Sequence, residues 1–258
     1  MVELRDQQEM REGWNARAER DPFFYIETTH WNGDIDDFFE RGEQTTRLLI
    51  DQFQSQYGSA RDIALDLGCG LGRFSRALAK RYASVIAVDI SDLMIANAKQ
   101  LHPWPMGSNI EFRTSDGVNL QLPNDAIDFV WSYEVLQHSP SHEIIRANIT
   151  EIGRVLRPGG WAMIHFKTGY QHPIMRSLIR CLPKPLVTLG LRFTGNDPMM
   201  VEQSFLGALP VNEGEIEDMF GAAKLKLLRI VEDPTHSAGT RSFAIVSKDA
   251  QPASHVTA

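Results

Sequence analysis

Between Ile63 and Asp89 the chain runs IALDLGCGLGRFSRALAKRYASVIAVD, and no other stretch so narrows what the polypeptide can fold into. Ile63 to Leu67 is a short apolar run broken only by Asp66, the pattern of a strand buried in a parallel sheet. Gly68, Gly70 and Gly72 follow at alternate positions, where the missing Cβ allows positive φ and lets a ligand approach the backbone. From Arg73 the period changes, with Phe74, Ala77, Leu78 and Tyr82 on one helical face. A second apolar run, Val85 to Val88, ends in Asp89, 17 residues after the last glycine. Strand, glycine turn, helix and strand make a βαβ unit, and an acid at the tip of its second strand can accept hydrogen bonds from ribose hydroxyls.

Two features separate this turn from a dinucleotide-binding one. The dinucleotide pattern G-x-G-x-x-G needs its third glycine where this chain has Arg73, and Gly72 comes one residue early. Asp66 precedes the turn; a carboxylate there repels a pyrophosphate but favours a ligand with an amino group or sulfonium. The segment resembles motif I of the class I S-adenosylmethionine (SAM) methyltransferases, an acid followed by G-x-G-x-G. A nicotinamide-dependent reductase is correspondingly disfavoured.

The rest of the chain supplies the context. Residues 1 to 20 are polar and predict a helix with Met10, Trp14 and Ala18 on a narrow stripe. DPFFYIETTHWNGD follows, rich in aromatics and turns, and residues 34 to 56 read as a helix carrying Phe38, Phe39, Leu48, Leu49 and Phe53. Trp14, Tyr25 and Trp31 could close over a cofactor as a lid; packing of a helix on the sheet is the plainer reading of any single ring. After Asp89, Ser91 caps a helix over Asp92 to Leu101 with Leu93, Ala96 and Leu101 inward. Asn109 to Thr114 is a third strand, followed by Ser115, Asp116 and Gly117. Residues 126 to 133, AIDFVWSY, form a fourth strand expected beside the first, across the switch point where open parallel sheets bind ligands.

A helix beginning at Ser139 and Pro140 then places Ile145, Ile149, Ile152 and Leu156 on the sheet. LRPGG closes it with a turn, and residues 161 to 166 make a fifth strand. Thr168 to Val211 lacks sheet periodicity and reads as an insertion, a cap over the acceptor or an oligomer contact. Its Arg176, Arg180, Lys184 and Arg192, with Leu178, Ile179 and Leu186, would suit an anionic or amphipathic acceptor. A helix at EGEIEDMFGAA and two strands, 224 to 231 and 241 to 246, complete the pattern; the tail from Asp249 is expected to be disordered.

The resemblance covers residues 61 to 167, including LRPGG, GRF after the glycines and LQH after the fourth strand, and is closest in style to bacterial small-molecule enzymes. It implies an α/β, Rossmann-like doubly wound sheet of seven strands, mostly parallel with an antiparallel last strand. Residues 1 to 60 become an N-terminal helical extension or lid, and 61 to 248 the SAM-binding domain. It places SAM against Asp66, Gly68, Cys69, Gly70 and Gly72 of the turn and against Asp89, Ile90 and Met94. Asp116 and Gly117 fall beside adenine, and Ser132, Tyr133 and Gln137 line the end of the fourth strand.

SAM carries its own activated methyl, so the protein's task is alignment of a nucleophile and exclusion of water. A hydroxyl nucleophile gains from a base titrating near neutrality, and His138 after the fourth strand is the first candidate. A helix cap or a loop-ordering role is its alternative. His165 and His172 come next, while Glu134 could orient His138 or touch the acceptor. A net charge of −7 with no basic block disfavours a nucleic-acid surface. SYEV after the fourth strand is not an Asn-Pro-Pro-Tyr type of grip on a base. Cys69 and Cys181 are too few for a disulfide framework, and no metal-ligand cluster is visible. With neither a signal peptide nor a membrane-length apolar run, the expected compartment is the cytoplasm. The expectation is a small-molecule methyltransferase, O-directed before N- or C-directed, with a SAM-binding regulatory or inactive partner subunit as the other class; a homodimer remains open.

Overall fold

The computed structural model describes residues 4–58, 60–103, 107–169, 197–201, 207, 211–236 and 240–249. Strands β1 (Ile63–Leu67), β2 (Ser84–Asp89), β3 (Ile110–Thr114), β4 (Ile127–Ser132), β5 (Leu156–Lys167), β6 (Lys226–Glu232) and β7 (Arg241–Ser247) form one sheet. Their order is β3-β2-β1-β4-β5-β7-β6. The first five run parallel, and β7 is antiparallel to both β5 and β6. From β1 the chain winds outward to β2 and β3, then returns to the other side of β1 as β4. This reversal opens a crevice at the carboxyl ends of β1 and β4, as expected of a doubly wound sheet.

Alternate strand residues feed two cores because side chains of a strand point to opposite faces. On one face Leu65, Val130 and Ile164 meet Ile145, Ile149 and Ile152 of helix α7 (His142–Val155) and Phe220 of α8 (Glu213–Ala222). On the other, Ala64, Phe129, Trp131 and Met163 meet Leu49, Phe53, Phe74, Leu78 and Tyr82. The second group comes partly from α5 (Arg73–Leu78) and partly from the segment before β1. There α3 (Ile35–Thr46) passes through one π-helical stretch, Arg47–Asp51, into α4 (Gln52–Tyr57), so the expected single helix is two joined by a wider turn. Leu48 departs from its expected core position and is 53% exposed.

Three further expectations are corrected. In α6 (Asp92–Leu101) the buried residues are Met94, Ile95 and Ala98, whereas Leu93 is 40% exposed and Ala96 exposed. The Ser91 cap is present, its Oγ accepting from Met94 N at 3.0 Å, so the helix starts as expected but is rotated about its axis. Helix α7 is capped by Ser141, not Ser139, because the Leu136–His138 stretch closes a separate 3-10 turn first. Leu156 to Gly160 belongs to β5, since Leu156 pairs with Ile127, but the register then jumps to Phe129 opposite Trp161, so the stretch, with Gly159 at φ +80°, interrupts the pairing.

The amino-terminal helices α1 (Leu4–Arg20) and α2 (Pro22–Ile26) lie against the carboxyl ends of the strands. Asn15 Oδ1 accepts from Ser91 Oγ at 2.6 Å, Arg11 donates to Ser115 O at 2.8 Å, and Gln7 donates to Asp116 O at 3.0 Å. Tyr25 donates to Asp197, and Arg20 pairs with the same carboxylate at 2.9 Å. Most of the 168–211 insertion lies outside the described residues, including His172, Cys181 and the cationic and apolar side chains named above, as does the tail from residue 250. Among the described residues no helix is long and apolar enough to cross a membrane.

Candidate active site

The crevice opens into a cavity of about 900 Å³. Its floor is the glycine turn. Gly68 N and Cys69 N both donate to Val88 O, at 2.7 and 2.9 Å, folding the turn across the end of β2. Gly68 has φ +75°, and a Cβ there would lie 2.2 Å from Val135 Cγ2, so both conformation and space require glycine. Gly70, at φ +53°, donates to Asp89 Oδ2 at 2.9 Å, while Asp89 Oδ1 accepts from Ser91 N at 2.9 Å. Burial raises the Asp89 pKa against these backbone bonds, so its carboxylate gains from further hydrogen-bond donors.

Gly68, Cys69, Gly70, Asp89, Ile90, Met94, Gly117, Tyr133, Glu134, Gln137 and His138 all line the cavity. Asp66, Gly72, Asp116, Ser132 and His165 are absent from that lining. Asp66 sits under the turn, where its Oδ2 accepts from Ser75 Oγ at 2.6 Å and burial pushes its pKa up to about 7. The carboxylate therefore ties β1 to α5. Gly72 faces away, toward His102 and Phe112. Asp116 Oδ1 accepts from Val118 N at 2.9 Å and Asn119 N at 2.6 Å, which makes it a turn residue. Ser132 is fully buried.

Two of the three aromatic lid candidates reach the cavity. Trp14 stands edge-on to His138 at 5.2 Å, and Tyr25 lines the same wall. Trp31 instead stacks on Phe23 at 4.6 Å. Arg73, the residue that breaks the dinucleotide pattern, is buried and paired with Glu27 at 2.8 Å; Arg41 holds the same carboxylate at 3.0 Å. The amino-terminal extension is thereby docked on the first turn of α5.

At the far end of the crevice a polar cluster joins three parts of the chain. Asp233, at the carboxyl end of β6, has its Oδ2 3.1 Å from His165 Nε2 and 3.0 Å from His236 Nδ1. His236 Nε2 lies 2.9 Å from Glu134 Oε1. The Asp233 and Glu134 hydrogen bonds raise His236 to about 9, so it is an imidazolium at neutral pH. Burial pushes Glu134 up, but the His236 hydrogen bond and the nearby histidines outweigh it and hold the carboxyl at about 2. Burial keeps His165 below the usual imidazole value.

His165, Asp233 and His236 are spaced like metal ligands. Glu134 N, however, donates to His165 Nδ1 at 3.3 Å, which leaves Nε2 to carry the proton, 3.1 Å from Asp233 Oδ2 although the pair is not aligned as a hydrogen bond. A metal on that Nε2 would force a proton onto Nδ1, facing the Glu134 N–H, so protons hold this cluster together. His236, Asp233 and Thr235 have no signal in the sequence beyond a turn-like DPTHS, and only the pairing of β6 and β7 brings them to the crevice. Linkage gives the cluster a pH signature. His236 contributes stability that is full below its unfolded value of about 6.5 and lost as pH rises through about 9. The melting temperature should fall between pH 7 and pH 9.5, and less steeply in Glu134→Gln; equal slopes would remove Glu134 from the linkage.

A glycine turn at a switch point, an acid at the tip of β2 and a roofed cavity define a nucleoside-binding protein of the Rossmann-like class. Residues 65–164 match the family described as methyltransferase domain. The ubiquinone biosynthesis O-methyltransferase of Pseudomonas fluorescens (strain Pf-5) is 30% identical over 178 residues, which are 67% of this chain and 73% of that protein. The biotin biosynthesis bifunctional protein BioHC of Cellvibrio japonicus is 26% identical over 220 residues, 73% of this chain but 41% of that protein. Among solved structures, magnesium protoporphyrin IX methyltransferase of Synechocystis PCC 6803 with bound SAM shares the fold at a TM-score of 0.62 and 18% identity, covering 96% of this chain and 99% of that one. The chain belongs to the class I SAM-dependent methyltransferases, and its cofactor is SAM.

The residues present fit that group: the Gly68 and Gly70 backbones line the cavity, and Asp89 offers the ribose a buried carboxylate. When bound, SAM supplies an activated methyl on a sulfonium.

Proposed function

We propose that this methyltransferase acts on a hydroxyl of a small molecule, with His138 receiving the proton. The observation that carries this reading is the extent of the cavity. It runs past the turn and Asp89 to a second region lined by Thr28, Gln44, Leu48, Lys167, Thr235 and His236, leaving space for an acceptor beside the cofactor. The volume, about 900 Å³, suits two small molecules and not a polymer groove. The name of the Pseudomonas relative, an O-methyltransferase of ubiquinone biosynthesis, supports oxygen as the reacting atom. His138 faces this space from the loop after β4, with its Nε2 3.2 Å from Gln137 Nε2.

In this reading Trp14 and Tyr25 close the cavity to water, and Asp89 with the glycine turn orients the cofactor. His138 accepts the hydroxyl proton as the oxygen attacks. A screen of hydroxylic, amine and carbon acceptors with SAM, read as release of S-adenosylhomocysteine (SAH), tests it. Hydroxylic acceptors alone should release SAH above background, and turnover confined to amines or carbon acids would reject the oxygen assignment.

A further inference from the structure

Glu134 is held more tightly than a cavity-lining carboxylate needs to be. It follows β4 in a left-handed backbone conformation, φ +58°, that a residue with a side chain rarely adopts. Its N–H is taken by His165 Nδ1 at 3.3 Å and its Oε1 by His236 Nε2 at 2.9 Å. Both histidines converge on one atom, Asp233 Oδ2, at 3.1 and 3.0 Å. Tyr133 OH donates to the same oxygen at 3.2 Å, and Thr235 N and Oγ1 donate to Oδ1 at 2.8 and 2.7 Å. Asp233 is thus joined to Glu134 twice, through the close contact with His165 to its backbone and through His236 to its side chain, and these links make a ring. Taking one imidazole and one carboxylate, His165 and Asp233, fully out of water and half-burying His236 and Glu134 to hold one residue in a strained conformation opposes stability. Strain and buried polar networks of this kind collect where a site must be rigid.

We infer that Asp233, His165 and His236 are positioning residues that fix Glu134 as the docking point for a second hydrogen-bond donor of the acceptor, next to the hydroxyl that reacts. The inference rests on the hydroxyl-acceptor reading above. Glu134 and His138 flank one short loop and line one cavity, so each can serve a different group of the same small molecule. A carboxylate held ionised accepts a hydrogen bond without keeping the proton. Glu134 therefore orients a non-reacting hydroxyl or N–H, while the reacting hydroxyl gives its proton to His138. As the carbon–oxygen bond forms, the sulfur–methyl bond breaks and its electron pair stays on sulfur. The acceptor class is a molecule with two neighbouring donors; an acceptor presenting a carboxylate at this point is repelled.

Two measurements test the inference. The first needs no acceptor: the His236 ring, assigned by its loss in His236→Gln, is titrated by NMR. Facing it are Glu134 after β4, Asp233 and Thr235 after β6, and His165 on β5; His138 also acts on Glu134. Its midpoint should lie near 9 and drop by at least one unit in Glu134→Ala; a wild-type midpoint between about 6 and 7 overturns the ring. The second uses calorimetry on the SAH-loaded protein with benzyl alcohol and 1,2-benzenedimethanol, which stay un-ionised throughout. The diol should bind at least fivefold tighter. In Glu134→Ala and Asp233→Asn the two alcohols should bind within twofold of each other, with SAH affinity kept within about threefold. Equal affinities in the wild-type protein, no binding of either alcohol, or a diol preference that survives both substitutions overturns the docking role. A diol preference without any hydroxyl turnover in the acceptor screen would reject the proposed reaction and leave this subsite standing.

Discussion

His138→Ala should lower turnover by roughly 10²- to 10⁴-fold while leaving SAM affinity nearly unchanged, the usual worth of a positioned base. The residue ends the 3-10 turn after β4 and lines the cavity with its ring edge-on to Trp14, within reach of a molecule bound there. Only a neutral imidazole accepts a proton, and turnover in the native enzyme should rise with pH below about 7 and lose that rise in the variant. Rapid-mixing kinetics with the best acceptor of the screen, run alongside SAM calorimetry, separates the outcomes. A raised SAM dissociation constant with the pH dependence intact would assign His138 to ordering the cofactor loop. Little change in either quantity would mean an acceptor that needs only alignment.

Asp89→Ala should weaken SAM by roughly 1.5 to 3 kcal/mol, the scale of losing hydrogen bonds to a charged group. Each carboxylate oxygen already holds one backbone N–H, Gly70 on one side and Ser91 on the other. The residue therefore shapes the turn and the start of α6 as well as offering acceptors to a ribose. Asp89→Asn keeps the side chain's shape but sets an NH2 against one of these two N–H groups, so both variants disturb the turn; their melting temperatures without ligand read that share, and SAM affinity lost by a variant whose melting temperature is kept comes from the charge and the ribose. Unchanged SAM affinity in both would place the ribose elsewhere.

The strength of the sequence signal follows the range of the interactions that each element needs. The βαβ unit around the glycine turn was legible because its determinants are local. Apolar runs of strand length, glycines where φ is positive and an acid at a strand tip are properties of neighbouring residues, and the structure has them all within 63–89. The register of α6 was not legible. Leu93 and Ala96 fit a helical face as well as Met94, Ile95 and Ala98 do, and only packing chose the second set, Ile95 and Ala98 against β2, β3 and the turn and Met94 against the amino-terminal helices.

The same division runs through the site. Gly68, Gly70, Asp89, Gln137 and His138 were found from sequence because they end strands or open turns, the places where backbone geometry faces a ligand. Asp66 stands out in sequence by its charge and by the acid before G-x-G-x-G, and only the structure shows it buried one residue inside the strand, accepting from Ser75 on the following helix. Asp116 has the right position along the chain, yet its Oδ1 accepts from its own next backbone N–H groups, Val118 and Asn119, and the residue is not in the cavity lining. The Glu134 ring depends on residues 31 to 102 positions apart in sequence. What the sequence by itself determined is the class of fold and the cofactor side of the crevice, since both follow from local period and turn chemistry. What only the tertiary structure decided is the polar cluster at the far end of the crevice: β6 and β7 must pair against β5 before Asp233 and His236 can stand beside Glu134, and no local pattern encodes that meeting.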